Sequence, residues 1–269
     1  MSKPMDDRVD LQIENHVALV RINRPEKHNA LDREAFEALV EAGKALGRNR
    51  SVRAVVLAGA GESFCAGIDM SVFEGVGIAD ARRELMQPCG ETGNLYQSAA
   101  TVWRELPVPV IAAVHGVAYG AGLQIAMGAD IRIGAPSARF SIMEIRWGII
   151  PDMGITVTMR HVVPADRIRL LAYTGNVVDG TEALKLNLVT GLDDDPLAAA
   201  MHLAAAIAGR SPDAVRAIKS LLNASLDEPQ AEALRHEAQR QLSLLGSANN
   251  REAVMANLHK REPQFGDPQ

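Results

Sequence analysis

Three glycines, Gly116, Gly120 and Gly122, follow the apolar run 110–114 and cluster where a short helix begins. A helix N-terminus leaves backbone N–H groups unpaired, and residues without bulk let an anion or a polarised carbonyl come close to them. A second apolar run, 52–58, ends in Gly59-Ala-Gly-Glu-Ser-Phe-Cys-Ala-Gly-Ile-Asp-Met70. Two strand-to-loop units of this kind can each supply one backbone donor to the same carbonyl oxygen, as in an oxyanion hole. Downstream, Glu144 stands in the mostly apolar stretch 142–151. Desolvation there raises a carboxyl pKa and suits it to carry a proton near neutrality. Asp152 follows across the turn Gly148-Ile-Ile-Pro151, and it reads either as a second acid or as a turn residue or helix cap.

The elements that must hold these residues are predicted as alternating strands and helices. Residues 9–14 and 17–22 alternate apolar and polar around Asn15-His16, which predicts a hairpin. A loop covers 23–31. Asp32 is a good N-cap, and Ala35, Phe36, Leu39, Val40 and Leu46 recur at helical spacing, so a helix is expected to about Arg48. Residues 52–58 and 110–114 are apolar throughout, as in strands covered on both faces, and strand, helix and strand in succession predict crossover units. Residues 71–77 read as irregular and 78–105 as a long helix interruptible at Pro88-Cys-Gly90. Strands are expected at 130–134 and 138–141, and a helix at 164–173. Asp195-Pro196, Ser211-Pro212 and Glu228-Pro229 each open a further helix, and 250–260 is the last.

Composition narrows the class. At 269 residues, 47% hydrophobic and 23% charged, the chain is ordinary globular material that buries a sizeable core. A formal charge of −5 leaves no basic patch for nucleic acid. The two cysteines, Cys65 and Cys89, make no disulfide framework, and neither they nor the seven scattered histidines show metal-ligand spacing. No metal and a reducing cytoplasm are the expectations. The N-terminus lacks the apolar centre of a signal peptide, and no apolar run reaches membrane-spanning length.

Phe64-Cys-Ala-Gly-Ile-Asp69 resembles the FxAGxD motif of the crotonase (enoyl-CoA hydratase/isomerase) superfamily, and His115-Gly-Val-Ala-Tyr-Gly-Ala-Gly-Leu-Gln124 resembles its NGxAxGGGxE segment. Arg24-Pro25 and Asn29-Ala30-Leu31 are similar to the N(R/K)P…NAL segment beside the coenzyme A site, and 174–189 to TG…(D/S)AxxAxxxGLV. The likeness runs from about Val9 to Phe265. It implies an α/β fold, a crotonase-like spiral of ββα units over 1–195, followed by a helical C-terminal trimerisation region over 196–269. A homotrimer or a dimer of trimers would follow. The ligand would be an acyl-CoA thioester, with no cofactor beyond its own coenzyme A.

By the same resemblance, the N–H groups of Ile68 and Ala121 are the oxyanion hole. Arg24, Lys27, Ala30, Ala66, Gly67, Asp69 and Gly120 lie along substrate and coenzyme A, and Lys260 reaches a coenzyme A phosphate, in one arrangement from a neighbouring subunit. Met70, Phe73, Leu85, Met86 and Tyr96 are candidates for the acyl wall, or else plain core.

Glu144 falls on a glutamate that hydratases and isomerases of the family use as general acid/base. Gln124 is the departure. Hydratases carry a second glutamate there, and an amide cannot act as a base although it can hold a water. Asp152 resembles the aspartate of dienoyl-CoA isomerases, which also carry an aspartate where this chain has Gln124. It also matches the nucleophile of aroyl-CoA dehalogenases, which have tryptophan at position 144. The expectation is an isomerase in which Glu144 moves a proton from one carbon of an enoyl-CoA to another, Asp152 assisting or orienting. Water addition with Gln124 positioning the water is the alternative, and a non-catalytic acyl-CoA binder is an alternative of another class. A dinucleotide fingerprint fails, since Phe64 and Ile125 stand where GxGxxG needs its third glycine. A Cys65 nucleophile lacks a matching histidine.

Overall fold

Strand β1 (Val9–Glu14) and strand β2 (Val17–Ile22) pair antiparallel and turn on Asn15 and His16, which both adopt positive φ. Two consecutive left-handed residues match the twist of the flanking strands. The computed structural model describes residues 7–70, 82–89, 93–226 and 228–268. Beyond the hairpin come β3 (Ala54–Gly59), β4 (Val110–Val114), β5 (Val117–Tyr119), β6 (Ile131–Gly134), β7 (Arg139–Ser141), β8 (Val178–Asp179) and β9 (Gly191–Leu192). The larger sheet has the order β1-β2-β3-β4-β6-β9, parallel from β2 onward, and a smaller one has the order β5-β7-β8. Crossover connections thus join the strands, as the alternation predicted.

Every residue of β3 and β4 is buried. One face carries the bulky core. The helix Arg33–Arg48, capped by Asp32 Oδ1 accepting from the Ala35 N–H at 2.9 Å, buries Phe36, Leu39 and Leu46 there. The helix Leu95–Glu105 adds Trp103, and its Tyr96 ring meets Phe36 edge to face at 5.0 Å. The opposite face is built of small side chains. Ala54, Val56, Ala58, Ile111 and Ala113 pack against Ala200, Ala204 and Ala208 of the helix Pro196–Ala208. Alanines four apart lie on one stripe of a helix and let it approach the strands closely.

Three differences from the sequence expectations have physical causes. The third strand starts at Ala54 rather than Val52, because the Val52 N–H donates to Asn49 O and closes a turn between the helix and the strand. The helix expected over 78–105, interruptible at 88–90, is helical at 82–84 and resumes at Leu95, where Asn94 and Gln97 form a reciprocal capping box. Phe73 and the rest of 71–81 lie outside the described residues, and Leu85 and Met86 are exposed. Strand β5 sits within the supposed glycine turn, in a segment too short for its alternation to register.

The helices Pro212–Ser225 and Gln230–Leu244 start close to the predicted prolines, and Ala248–Leu258 starts behind a Ser247 cap, two residues ahead of the expected 250. Lys219 fastens the first of them. Its buried ammonium donates to Trp103 O at 3.0 Å and Val108 O at 2.9 Å and pairs with Asp130 at 2.7 Å. Asp130 in turn accepts the Val110 N–H at 2.7 Å, at the start of β4.

Candidate active site

The loop after β3 is laced on both sides. Phe64 and Cys65 donate their N–H groups to His115 O and Val117 O, and Cys65 O accepts from Tyr119. On the other side Ala66 donates to His28 O, Leu31 to Gly67 O, and Asp69 to Leu31 O, at 2.8–2.9 Å. The Ile68 N–H is left out of this ladder among the described residues. Ala121 opens the helix Ala121–Met127, where the first-turn N–H has no partner within the helix. The two loops touch. A Cβ built on Gly122 would stand 2.4 Å from Cys65 O, and one on Gly67, which has φ of +104°, would stand 3.9 Å from the Ala121 nitrogen. Two free backbone donors therefore come from neighbouring chain segments, as an oxyanion hole needs.

Ile68 and Ala121 both line a cavity of about 360 Å³. Of the residues singled out by sequence, Lys27, Ala30, Ala66, Gly67, Ile68, Asp69, Gly120, Ala121 and Glu144 line it. So does Met70, and so do Met143, Trp147 and Ile149, which the sequence reading passed over. Glu144 and Trp147 begin and end one 3-10 turn, so their side chains lie on the same face. That spacing, three residues beyond the candidate acid, was the available signal for Trp147. A larger cavity, about 750 Å³, lies between the helices Pro212–Ser225 and Gln230–Leu244 and contains none of these residues.

Glu144 is 7% exposed. Gln124 Nε2 donates to its Oε1 at 2.6 Å, while Oε2 is buried without a partner among the described residues. Burial raises the Glu144 pKa most, the nearby Asp152 charge raises it further, and the Gln124 donor partly offsets both. Gly120, at φ 49° and ψ −115°, leaves the space into which this carboxyl fits, since a Cβ there would stand 3.2 Å from Oε1. Asp152 is half-buried, and burial raises its pKa too. It does not line the cavity among the described residues, and neither does Gln124, which is 1% exposed.

Arg24 and Lys260 also stand apart from the cavity lining. The Arg24 guanidinium is buried against Ala30 O, Asp69 and Asp32, holding the loop of Lys27 and Ala30 to the loop of Asp69. Lys260 follows the last helix at positive φ. Burial pushes the Cys65 thiol up to about 12, which keeps it protonated and unreactive as a nucleophile. Among the described residues no group of three or more histidine, cysteine or acidic side chains is placed to hold a metal ion.

Comparison with known proteins gives the family. Residues 12–268 match the family model described as Enoyl-CoA hydratase/isomerase. The mitochondrial Delta(3,5)-Delta(2,4)-dienoyl-CoA isomerase of Mus musculus is 33% identical over 264 residues, covering 93% of this chain and 78% of the relative. An enoyl-CoA hydratase of Mycobacterium tuberculosis is 31% identical over 252 residues, covering 93% of each. The crystal structure of an enoyl-CoA hydratase from Bacillus anthracis superposes with a TM-score of 0.88 at 27% identity, covering 96% of this chain and 98% of the other. A matched span running almost end to end, relatives of both activities and a shared crotonase fold make this chain a member of the enoyl-CoA hydratase/isomerase family.

Proposed function

We propose that the chain isomerises enoyl-CoA thioesters, moving a double bond from C3 to C2 by a proton relay through Glu144. The observation that supports it most is that Glu144, whose buried Oε2 has no partner among the described residues, lines the same cavity as Ile68 and Ala121. With the thioester oxygen between those donors, the C2 proton is acidified because the enolate charge develops on the oxygen they already face. Glu144, ionised, takes the C2 proton. The electron pair delocalises over C2–C4 and the thioester oxygen, and Glu144 returns the proton to C4. One carboxylate suffices, and Gln124 supplies no second base.

Asp152 takes the orienting role in this reading, since it raises the Glu144 pKa from outside the cavity lining. Lys27, exposed at the mouth, faces a coenzyme A phosphate. Lys260 would reach one across a subunit boundary in a trimer or dimer of trimers built by residues 196–269. The reading needs no cofactor beyond the substrate's coenzyme A. A cytoplasmic setting accords with the two free cysteines, and no described helix is long and apolar enough to cross a membrane.

The test is product mass after separate incubation with 2-enoyl-, 3-enoyl- and 3,5-dienoyl-CoA in heavy-oxygen water, with Glu144→Gln as control. A shifted double bond at unchanged mass, lost in the control, is expected. Heavy-oxygen uptake by the 2-enoyl substrate would make the chain a hydratase, and silence on all three would leave an acyl-CoA binder.

A further inference from the structure

We infer that Gln124 is a positioning residue whose side-chain amide confines proton traffic on Glu144 to one oxygen, Oε2. The inference rests on the proton-relay reading above. Gln124 Oε1 accepts the Met153 N–H at 2.9 Å, so the amide cannot flip without setting an NH₂ against that donor. Its Nε2 is thereby committed to Glu144 Oε1 at 2.6 Å. A proton on Oε1 would point at the amide hydrogen, and the acid form therefore carries its proton on Oε2, the oxygen with no partner among the described residues.

The clamp also sets distances. Ala121, whose N–H is one of the two polarising donors, and Gln124 are three residues apart on the same short helix, so they share a face. One helical turn thus fixes the spacing between the donor that polarises the carbonyl and the group that holds the proton carrier. At its other end the amide grips Met153 and so ties down the neighbouring Asp152. The ionisable groups around Glu144 are Asp152, which acts on it directly, Lys27 and Asp69 in the cavity wall, and Tyr96, whose hydroxyl feels Asp152.

The experiment is a 13C-NMR titration of glutamate-labelled protein, the Glu144 resonance being identified by its absence in Glu144→Gln, run beside the pH profile of kcat. In Gln124→Leu the Glu144 midpoint should rise by about one pH unit, the loss expected for a hydrogen bond to a charged group. The acid limb of kcat should rise with it, and kcat should fall about tenfold or more while KM stays within about twofold. Gln124→Glu, which keeps an acceptor for Met153, should raise the midpoint further and guards against a Leu variant that does not fold. An unchanged midpoint in both variants, with only a lowered Tm, would overturn the inference and leave Gln124 as core packing. The midpoint shift is independent of the reaction catalysed, so a chain that proved to hydrate would still show it.

Discussion

Gly122 lies against the Cys65 carbonyl so closely that a methyl group on its Cα would stand 2.4 Å from the oxygen. This contact brings the helix of Ala121 up to the loop of Ile68. Gly122→Ala should force the two donor loops apart, costing about 1–3 kcal/mol by overpacking. It should also lower kcat/KM on acyl-CoA substrates by more than the fall in stability explains. Thermal unfolding and steady-state kinetics on the same preparation check this.

Replacement of Glu144 by glutamine should remove the proton carrier and keep the shape of the site. Turnover should fall by a factor on the order of 10² to 10⁴, the usual contribution of a positioned acid or base. Acyl-CoA affinity should change little. Because burial raises the Glu144 pKa and the ionised form takes the proton, the parent's kcat should climb with pH through a value above the ordinary carboxylate range. The glutamine variant's residual rate should lack that limb.

The same carboxyl makes a signed prediction for stability. Between its ordinary and its raised value, the folded chain holds a proton that the unfolded chain has released, so folding stability falls as pH rises through that window. Glu144→Gln should therefore melt above the parent on the alkaline side of the window. Below the ordinary carboxylate value the two should converge. Melting temperatures measured across pH decide it.

Lys219 carries the only ammonium shared by Trp103 O, Val108 O and Asp130 among the described residues. Lys219→Met leaves the Trp103 and Val108 carbonyls without their donor, at about 1–3 kcal/mol by the usual cost of unpaired buried polar groups, while the exposed Asp130 stays hydrated. Adding Asp130→Asn should change stability little further, since position 130 is solvent-exposed and the asparagine oxygen still accepts from Val110. Denaturant midpoints of the single and double variants test the coupling.

Trp147 is 54% exposed yet walls the cavity on the face of Glu144. Trp147→Ala should raise KM about tenfold by removing apolar contact area from the bound acyl-CoA. It should leave the pH profile in place. A series of acyl groups of graded length shows which of them the indole touches.

What the sequence made legible follows the range of the forces involved. Strands β3 and β4 and the Asp32-capped helix are written in local apolar patterns and a local cap, and the glycines of both donor loops mark close approaches that glycine alone permits. The bridge from Gln124 to Met153 and Glu144 joins residues far apart in the chain, so no window of sequence displays it. Gln124 read as a missing base, whereas the fold makes it a clamp. The helix expected over 78–105 with an interruption at 88–90 is helical at 82–84 and again from Leu95, where Asn94 and Gln97 write a local start signal.

The two faces of the larger sheet have different grain, with aromatic and large aliphatic side chains on one and an alanine-rich mixture on the other. On the alanine-rich side the stripe Ala200, Ala204 and Ala208 brings the helix close to the strands and leaves little room for added bulk. Ala204→Leu, remote in sequence from either donor loop, would lever the helix Pro196–Ala208 off β3 and β4 and tilt the strands that feed both loops. Changes of side-chain volume are therefore absorbed more readily on the thick side of the sheet, while the thin side is the datum plane that holds the strands feeding both donor loops.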